Sequence, residues 1–387
     1  MQPAARYSAA IEVLEAWLSG TPVEQALTRW ARGARYAGSK DRASVRDHVY
    51  DVLRQKGVCE ALGDATGRGL ILGLVRAQGA DIDAIFSGIG HAPEPLSEAE
   101  RHADQSAADP ALNVPDWTLP LLQARAGDAL PDLLQTFTQR APLWLRVNLR
   151  RGTREAAQEA LGGEGLTCRP HPDVPTALEV TEGARRLRQT MAYMNGLVEP
   201  QDLSVQAAVG RVDWPESGAV LDYCAGGGGK ALAIADRCDA TIFAHDALPQ
   251  RMADLAPRAE RAGVRIMSIE TGDISTRGPF DLVVTDVPCS GSGTWRRDPE
   301  AKWRLTPEAL ESLIETQAQI LDEAAKVVAE GGRLIYMTCS LFDAENEAQV
   351  AAFLARNKGW RAGPAHGDTP LTASDGFFTA ELVRDIP

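Results

Sequence analysis

Four consecutive glycines, Gly226 to Gly229, follow the apolar run 219–223 (AVLDY) and precede a helical stretch that starts near Lys230. No other feature constrains the fold as tightly. A strand that ends in a glycine turn and feeds a helix lets the backbone pass close to a ligand and presents its N–H groups there. Further strand candidates lie at 241–245 (TIFAH), 264–269 (VRIMSI), 280–285 (FDLVVT) and 333–338 (RLIYMT), and helical patterns separate most of them. The best marked helix has Thr306 as N-cap and Pro307 at its first position. Leu310, Leu313, Ile314, Leu321 and Val328 form its stripe, and Gly331-Gly332 is its stop. Such alternation predicts an α/β domain with a parallel, Rossmann-like sheet, whose ligands bind at the carboxyl ends of the strands.

Upstream the pattern differs. Residues 1–90 read as helical, with Ile11, Leu14, Trp17 and Leu18 on one face, then Leu27 and Trp30, then Val45, Val49, Val52 and Leu53. Residues 91–110 are Pro-, Ala- and acid-rich and read as a surface excursion. An alternating strand (143–149, LWLRVNL) and a helix from Thr153 to Leu161 then suggest a small α+β module. The expected domains are an all-α domain over 1–135, the α+β module over 136–205 and the sheet domain over 206–387. The six cysteines (59, 168, 224, 238, 289 and 339) contain no C-x-x-C pair, which argues against a zinc ribbon and for reduced thiols. No signal peptide and no run of about 20 apolar residues is evident, so a soluble, cytoplasmic protein with no membrane partner is expected.

The formal charge is −13, which taken whole argues against a nucleic-acid partner. Its distribution is uneven. The balance is +5 over residues 29–56, −8 over 81–135 and +3 over 140–188, and Arg296, Arg297, Lys302 and Arg304 form a further basic cluster. An acidic chain with local basic tracks can still bind RNA.

Three ligands compete for the glycine turn. A P-loop fails because Cys224 stands where its first glycine belongs and Ala231 where a magnesium-binding Ser or Thr belongs. A dinucleotide site would accept Gly226, Gly228 and Ala231 as G-x-G-x-x-A, with Asp246 for a ribose diol. S-adenosylmethionine would use the same turn, with Asp246 on its ribose and Asp273 near its adenine; Asp273 can equally be a turn residue.

The downstream chemistry separates them. The fourth strand runs into Asp286-Val287-Pro288-Cys289 and the fifth into Thr338-Cys339-Ser340, so both cysteines fall at the ligand edge of the sheet. A thiolate, a carboxylate and a second thiol are what methylation at a pyrimidine C5 needs. The thiolate adds across the 5,6 bond, an acid stabilises charge at N3, and a further group assists release. Cys339, Asp286 and Cys289 supply that set. Trp295 beside this loop reads either as a base-stacking ring or as a core residue.

The segments DYCAGGGGK, DVPCSGSGTWRRDPEAKW, GGRLIYMTCSLFDAENE and DGFF resemble the Sun/Fmu-type RNA cytosine-C5 methyltransferases. The resemblance spans residues 140–387, and the N-terminal helices resemble that family's NusB-like domain. It implies a class I S-adenosylmethionine-dependent domain, Cys339 as nucleophile, Cys289 in product release and Asp286 at the cytosine N3. It also implies that Cys224, Ala225, Gly226, Gly227, Gly228, Gly229, Lys230, Asp246, Asp273 and Asp286 contact or border S-adenosylmethionine, and that Arg297 meets RNA phosphate. The implied partner is RNA, ribosomal RNA in particular, with a single-stranded or flipped target cytosine; nothing in the sequence demands more than a monomer. One departure is clear. Gly227 stands where the family has Pro, which frees the turn and weakens ligand affinity by some fraction of about 0.4–1 kcal/mol.

Overall fold

Apolar residues three and four apart along the helix Pro3–Leu18 bury Ala9, Ala10, Val13, Leu14 and Trp17 on one face, whereas Leu18 points outward. Helices Val23–Gly33, Ser39–Arg54 and Gly67–Ala77 close this core with Trp30, Val45, Val49, Leu53 and Leu70. The computed structural model describes residues 1–102 and 109–386. Part of the expected surface excursion, 103–108, lies outside the described residues. The chain divides into two units, Met1–Arg140 with Trp295–Arg304, and Ala141–Thr294 with Leu305–Pro387.

The second unit begins with a four-stranded antiparallel sheet of β1 (Leu143–Val147), β2 (Thr167–Pro170), β3 (Ala177–Glu182) and β4 (Val198–Pro200), in the order β2-β3-β1-β4. The helix Arg154–Gly163, capped by Thr153, packs Ala157 and Leu161 into its apolar side. Its attachment to the rest of the unit includes polar links beside the apolar contact of Trp144 and Ala177 with Leu203. Asn148 Nδ2 donates to the Ala262 carbonyl at 2.9 Å, Gln201 Nε2 donates to Gly229 O at 2.9 Å, and Glu199 pairs with Arg258 and Arg261.

Seven strands make the larger sheet: β5 (Ala219–Asp222), β6 (Thr241–Ala244), β7 (Ile266–Ser268), β8 (Phe280–Asp286), β9 (Val328–Thr338), β10 (Trp360–Asp368) and β11 (Phe377–Arg384). The order is β10-β11-β9-β8-β5-β6-β7, with β5 to β9 parallel and β10 and β11 antiparallel. Five strands match the sequence expectation, and the two antiparallel ones were not foreseen, although FFTAELV is apolar enough to have signalled one of them. The order reverses beside β5, which places the glycine turn where ligands bind such sheets. The helix Pro307–Ala325 starts as expected, with Thr306 Oγ1 accepting from the Ala309 amide at 3.2 Å. Its end differs. It stops at Ala325, Val328 already belongs to β9, and Gly331 and Gly332 lie inside the strand range, Gly331 with a φ of +72°. Val328, fully buried, packs between sheet and helix, so tertiary burial overrode the stripe. Among the described residues no helix is long and apolar enough to cross a membrane.

Candidate active site

β5 ends at Asp222 and the chain turns through Tyr223–Gly228 into the helix Gly229–Ala235. Gly226 and Gly228 have φ of +49° and +80°, which favour glycine. A Cβ on Gly228 would lie 2.2 Å from Leu255 Cδ1 and would push that buried side chain aside, and the positive φ itself favours glycine. At Gly226 the same position faces open space. The Gly226 amide donates to Asp246 Oδ2 at 3.0 Å and the Leu248 amide to Oδ1 at 2.9 Å, so buried Asp246, just past β6, braces the turn. Asp273 sits exposed in the turn Thr271–Asp273 after β7. Cys224 is half-buried, and burial, followed by Asp222, Asp286 and Asp246, pushes its thiol up.

Two features of this turn were not foreseen. Asp222 is fully buried, and neither carboxylate oxygen has a partner in hydrogen-bond geometry; the Ala231 and Cys224 amides only approach it. Burial raises its carboxyl to about 7 against the pull of Lys230. The second feature is Arg258, whose Nη1 donates to the Gly227 carbonyl while Nε donates to Glu199 Oε1 at 3.0 Å. The freedom introduced at Gly227 is thus restrained by a side chain from the neighbouring helix Leu255–Ala262.

Lys230 crosses from the turn to Asp286 at the end of β8 and forms an ion pair with its Oδ2. Burial alone would lower the Lys230 ammonium, but Asp286, Asp222 and Cys339 more than reverse this and hold it charged. β8 and β9 are parallel neighbours in register Asp286↔Met337, so the residues just past their ends meet. Cys289 Sγ and Cys339 Sγ lie 3.3 Å apart. The Cys289 thiol is pushed up by its hydrogen bond to Cys339 first, then by burial and by the charges of Cys339 and Glu345. The loops after the strands are also tied to the DGFF segment. The Gly293 amide donates to Cys339 O at 2.9 Å, the Gly376 amide donates to Gly293 O at 2.9 Å, and a Cβ on Gly293 would come within 2.5 Å of Gly376.

Cys289, Cys339, Asp286, Lys230, Asp246 and the glycine turn therefore come together at one edge of the larger sheet. Other residues do not join them. Trp295 is fully buried against Phe137 at a centroid distance of 5.7 Å, so it is a core residue and no stacking platform. Arg297 is half-buried and belongs to the helical unit. The basic cluster around it is consumed internally. Arg296 is buried, Lys302 Nζ is buried and donates to Arg54 O at 3.1 Å, and Arg304 pairs with Glu300 at 2.8 Å.

The residues fit S-adenosylmethionine. Unpartnered acceptor oxygens on Asp222, the carboxylate of Asp246 and the open face at Gly226 suit a ligand that brings an ammonium group and a ribose diol.

Residues 212–382 match the family described as 16S rRNA methyltransferase RsmB/F, and residues 114–185 match the RsmF/B-like ferredoxin-like domain. The chain is 31% identical over 393 residues to Ribosomal RNA small subunit methyltransferase B of Xylella fastidiosa, covering 90% of each. Among solved structures it superposes on PH0851 with a TM-score of 0.75, 21% identity and 99% of each chain covered. NSun6 from Pyrococcus horikoshii, solved with SFG, gives a TM-score of 0.61 at 18% identity, covering 70% of this chain and 98% of that one.

Proposed function

This chain belongs to the 16S rRNA methyltransferase RsmB/F family, and on that premise we propose that it forms 5-methylcytosine in small-subunit ribosomal RNA. The carrying observation is the pair of sulfurs 3.3 Å apart beside the Lys230–Asp286 ion pair. Cys339 is the nucleophile. Its thiolate adds to cytosine C6, and the displaced π electrons make C5 a nucleophile and load negative charge toward N3. Asp286 meets the ring N3 where that charge develops, and the proton taken up there comes from the Lys230 ammonium bound to it and returns to Lys230 when the double bond re-forms. S-adenosylmethionine, the methyl donor that SFG mimics as an analogue, supplies an electrophilic methyl group to C5 when bound in the 224–230 turn with Asp246 and Asp273.

Release needs the C5 proton to leave and the S–C6 bond to break. Cys289, whose thiol is held up, keeps its proton in this reading, and its Sγ lies 3.3 Å from Cys339 Sγ. It gives that proton to the departing sulfur and accepts the C5 proton in exchange, so the 5,6 double bond re-forms and both cysteines end as thiols. The surplus proton of the overall transfer goes to water. A stacked cytosine hides C6, so the target is single-stranded or extruded. In this reading residues 1–135 are a NusB-like domain, 136–205 are an RNA-binding module, Arg297 meets RNA phosphate, and the enzyme acts as a monomer.

Exchanging each cysteine tests the assignment. Cys339→Ala abolishes methyl transfer from radiolabelled S-adenosylmethionine to undermethylated ribosomal RNA. Cys289→Ala leaves an RNA–protein adduct that survives a denaturing gel. A lasting adduct with Cys339→Ala would overturn the roles. Absence of any transfer by the native protein would favour a catalytically silent RNA-binding assembly factor. Bisulfite sequencing of ribosomal RNA from a deletion strain locates the nucleotide.

A further inference from the structure

The pairing of β8 with β9 ends at Asp286↔Met337, before either cysteine, so the strands alone do not fix the distance between the sulfurs. A buried carboxylate bridges the two loops instead. Glu345, fully buried in the turn Asp343–Glu345, accepts at Oε1 from the Ser290 amide at 2.8 Å and from Gln317 Nε2 at 2.9 Å. At Oε2 it accepts from Ser290 Oγ at 2.5 Å and from Ser340 Oγ. Ser290 follows Cys289 and Ser340 follows Cys339, so one side chain grips the residue next to each sulfur. The link is reinforced on both sides. Ser292 Oγ lies 3.1 Å from Ser340 Oγ and accepts from the Leu341 amide at 2.8 Å. Gln317 Nε2 also donates to Pro288 O at 2.9 Å, and the Tyr336 hydroxyl donates to Glu345 O at 2.6 Å.

A buried carboxylate carries a large desolvation cost, and an apolar residue of equal size would fill the same space without it. What the charge adds is direction, since four charge-assisted hydrogen bonds define one relative placement of the loops. We propose that Glu345 is the positioning residue that sets the spacing of Cys289 and Cys339 and so permits the proton exchange at product release. Its charge adds to the Cys339 hydrogen bond, to burial and to the Cys339 charge in raising the Cys289 thiol. The proposal rests on the two-cysteine reading above, and Glu345 itself touches no substrate.

Glu345→Gln keeps size and two polar atoms and removes the charge. S-adenosylmethionine affinity then stays within about twofold, multiple-turnover methylation falls at least about tenfold, and the RNA–protein adduct persists as it does for Cys289→Ala. A merely structural role would not lengthen the life of the adduct. Ser290→Ala removes only the hydroxyl link on the Cys289 side and gives the same signature more weakly, which covers the case in which Glu345→Gln fails to fold. The double variant is non-additive if the four residues act as one clamp. Native turnover and adduct lifetime in the folded variants, while Cys339→Ala abolishes transfer, would overturn the role of Glu345 alone. Transfer that survives Cys339→Ala would instead overturn the two-cysteine reading beneath it.

Discussion

Asp222 carries a penalty that its position explains. Its carboxyl stands at about 7 in the fold, well above an unfolded aspartate, because burial disfavours the charge. The folded state therefore holds a proton that the unfolded state has already lost, and stability falls as pH rises from about 4 to about 7. Asp222→Asn removes that slope. Its unfolding free energy relative to the native protein should gain up to about 4 kcal/mol between pH 4 and 7 and stay level above, measured by denaturant titration without ligand. An equal offset at both pH values would mean that the group does not titrate there. At this scale the sequence exposed both site cysteines, because Pro-Cys and Thr-Cys-Ser are local patterns. It gave no role to Asp222 or Glu345. A buried acid is known by what surrounds it, and the partners of Glu345 come from three separate stretches of chain.

Among the elements, the glycine turn is held from outside. Proline would have restricted it at position 227, whereas here Arg258 from the neighbouring helix Leu255–Ala262 donates to the Gly227 carbonyl and is itself anchored by Glu199. Arg258→Ala should weaken S-adenosylmethionine binding severalfold in calorimetry, from the loss of a restraint of roughly 0.4–1 kcal/mol. Little change in affinity would show the turn to be rigid without it. Helix starts were legible from Thr153 and Thr306, since a cap is a local hydrogen bond. The end of the helix Pro307–Ala325 was not. Gly331-Gly332 looked like a stop, but burial of Val328 against the sheet starts the strand earlier. β10 and β11 lack the strand–helix rhythm that exposed the others, because these two antiparallel strands are joined without a helix between them.

For the whole molecule, the formal charge of −13 conceals basic tracks that differ in availability. Arg296 and Lys302 are buried and Arg304 is paired, whereas Arg186 and Arg188 are exposed in the turn Ala184–Gln189. Exchanging both for Ala should lower affinity for single-stranded ribosomal RNA and reduce the slope of log K against log salt by about 1.4, at about 0.7 per phosphate contact. An unchanged slope would move the RNA face elsewhere. The sequence by itself determined the sheet domain, the glycine turn and the place of the two cysteines at strand ends, because each is written in contiguous residues whose spacing follows strand and helix periods. Tertiary structure decided which of those residues meet. It set the sulfurs side by side, put Glu345 beneath them and buried Trp295, since contact between distant segments depends on burial and register that no local pattern encodes.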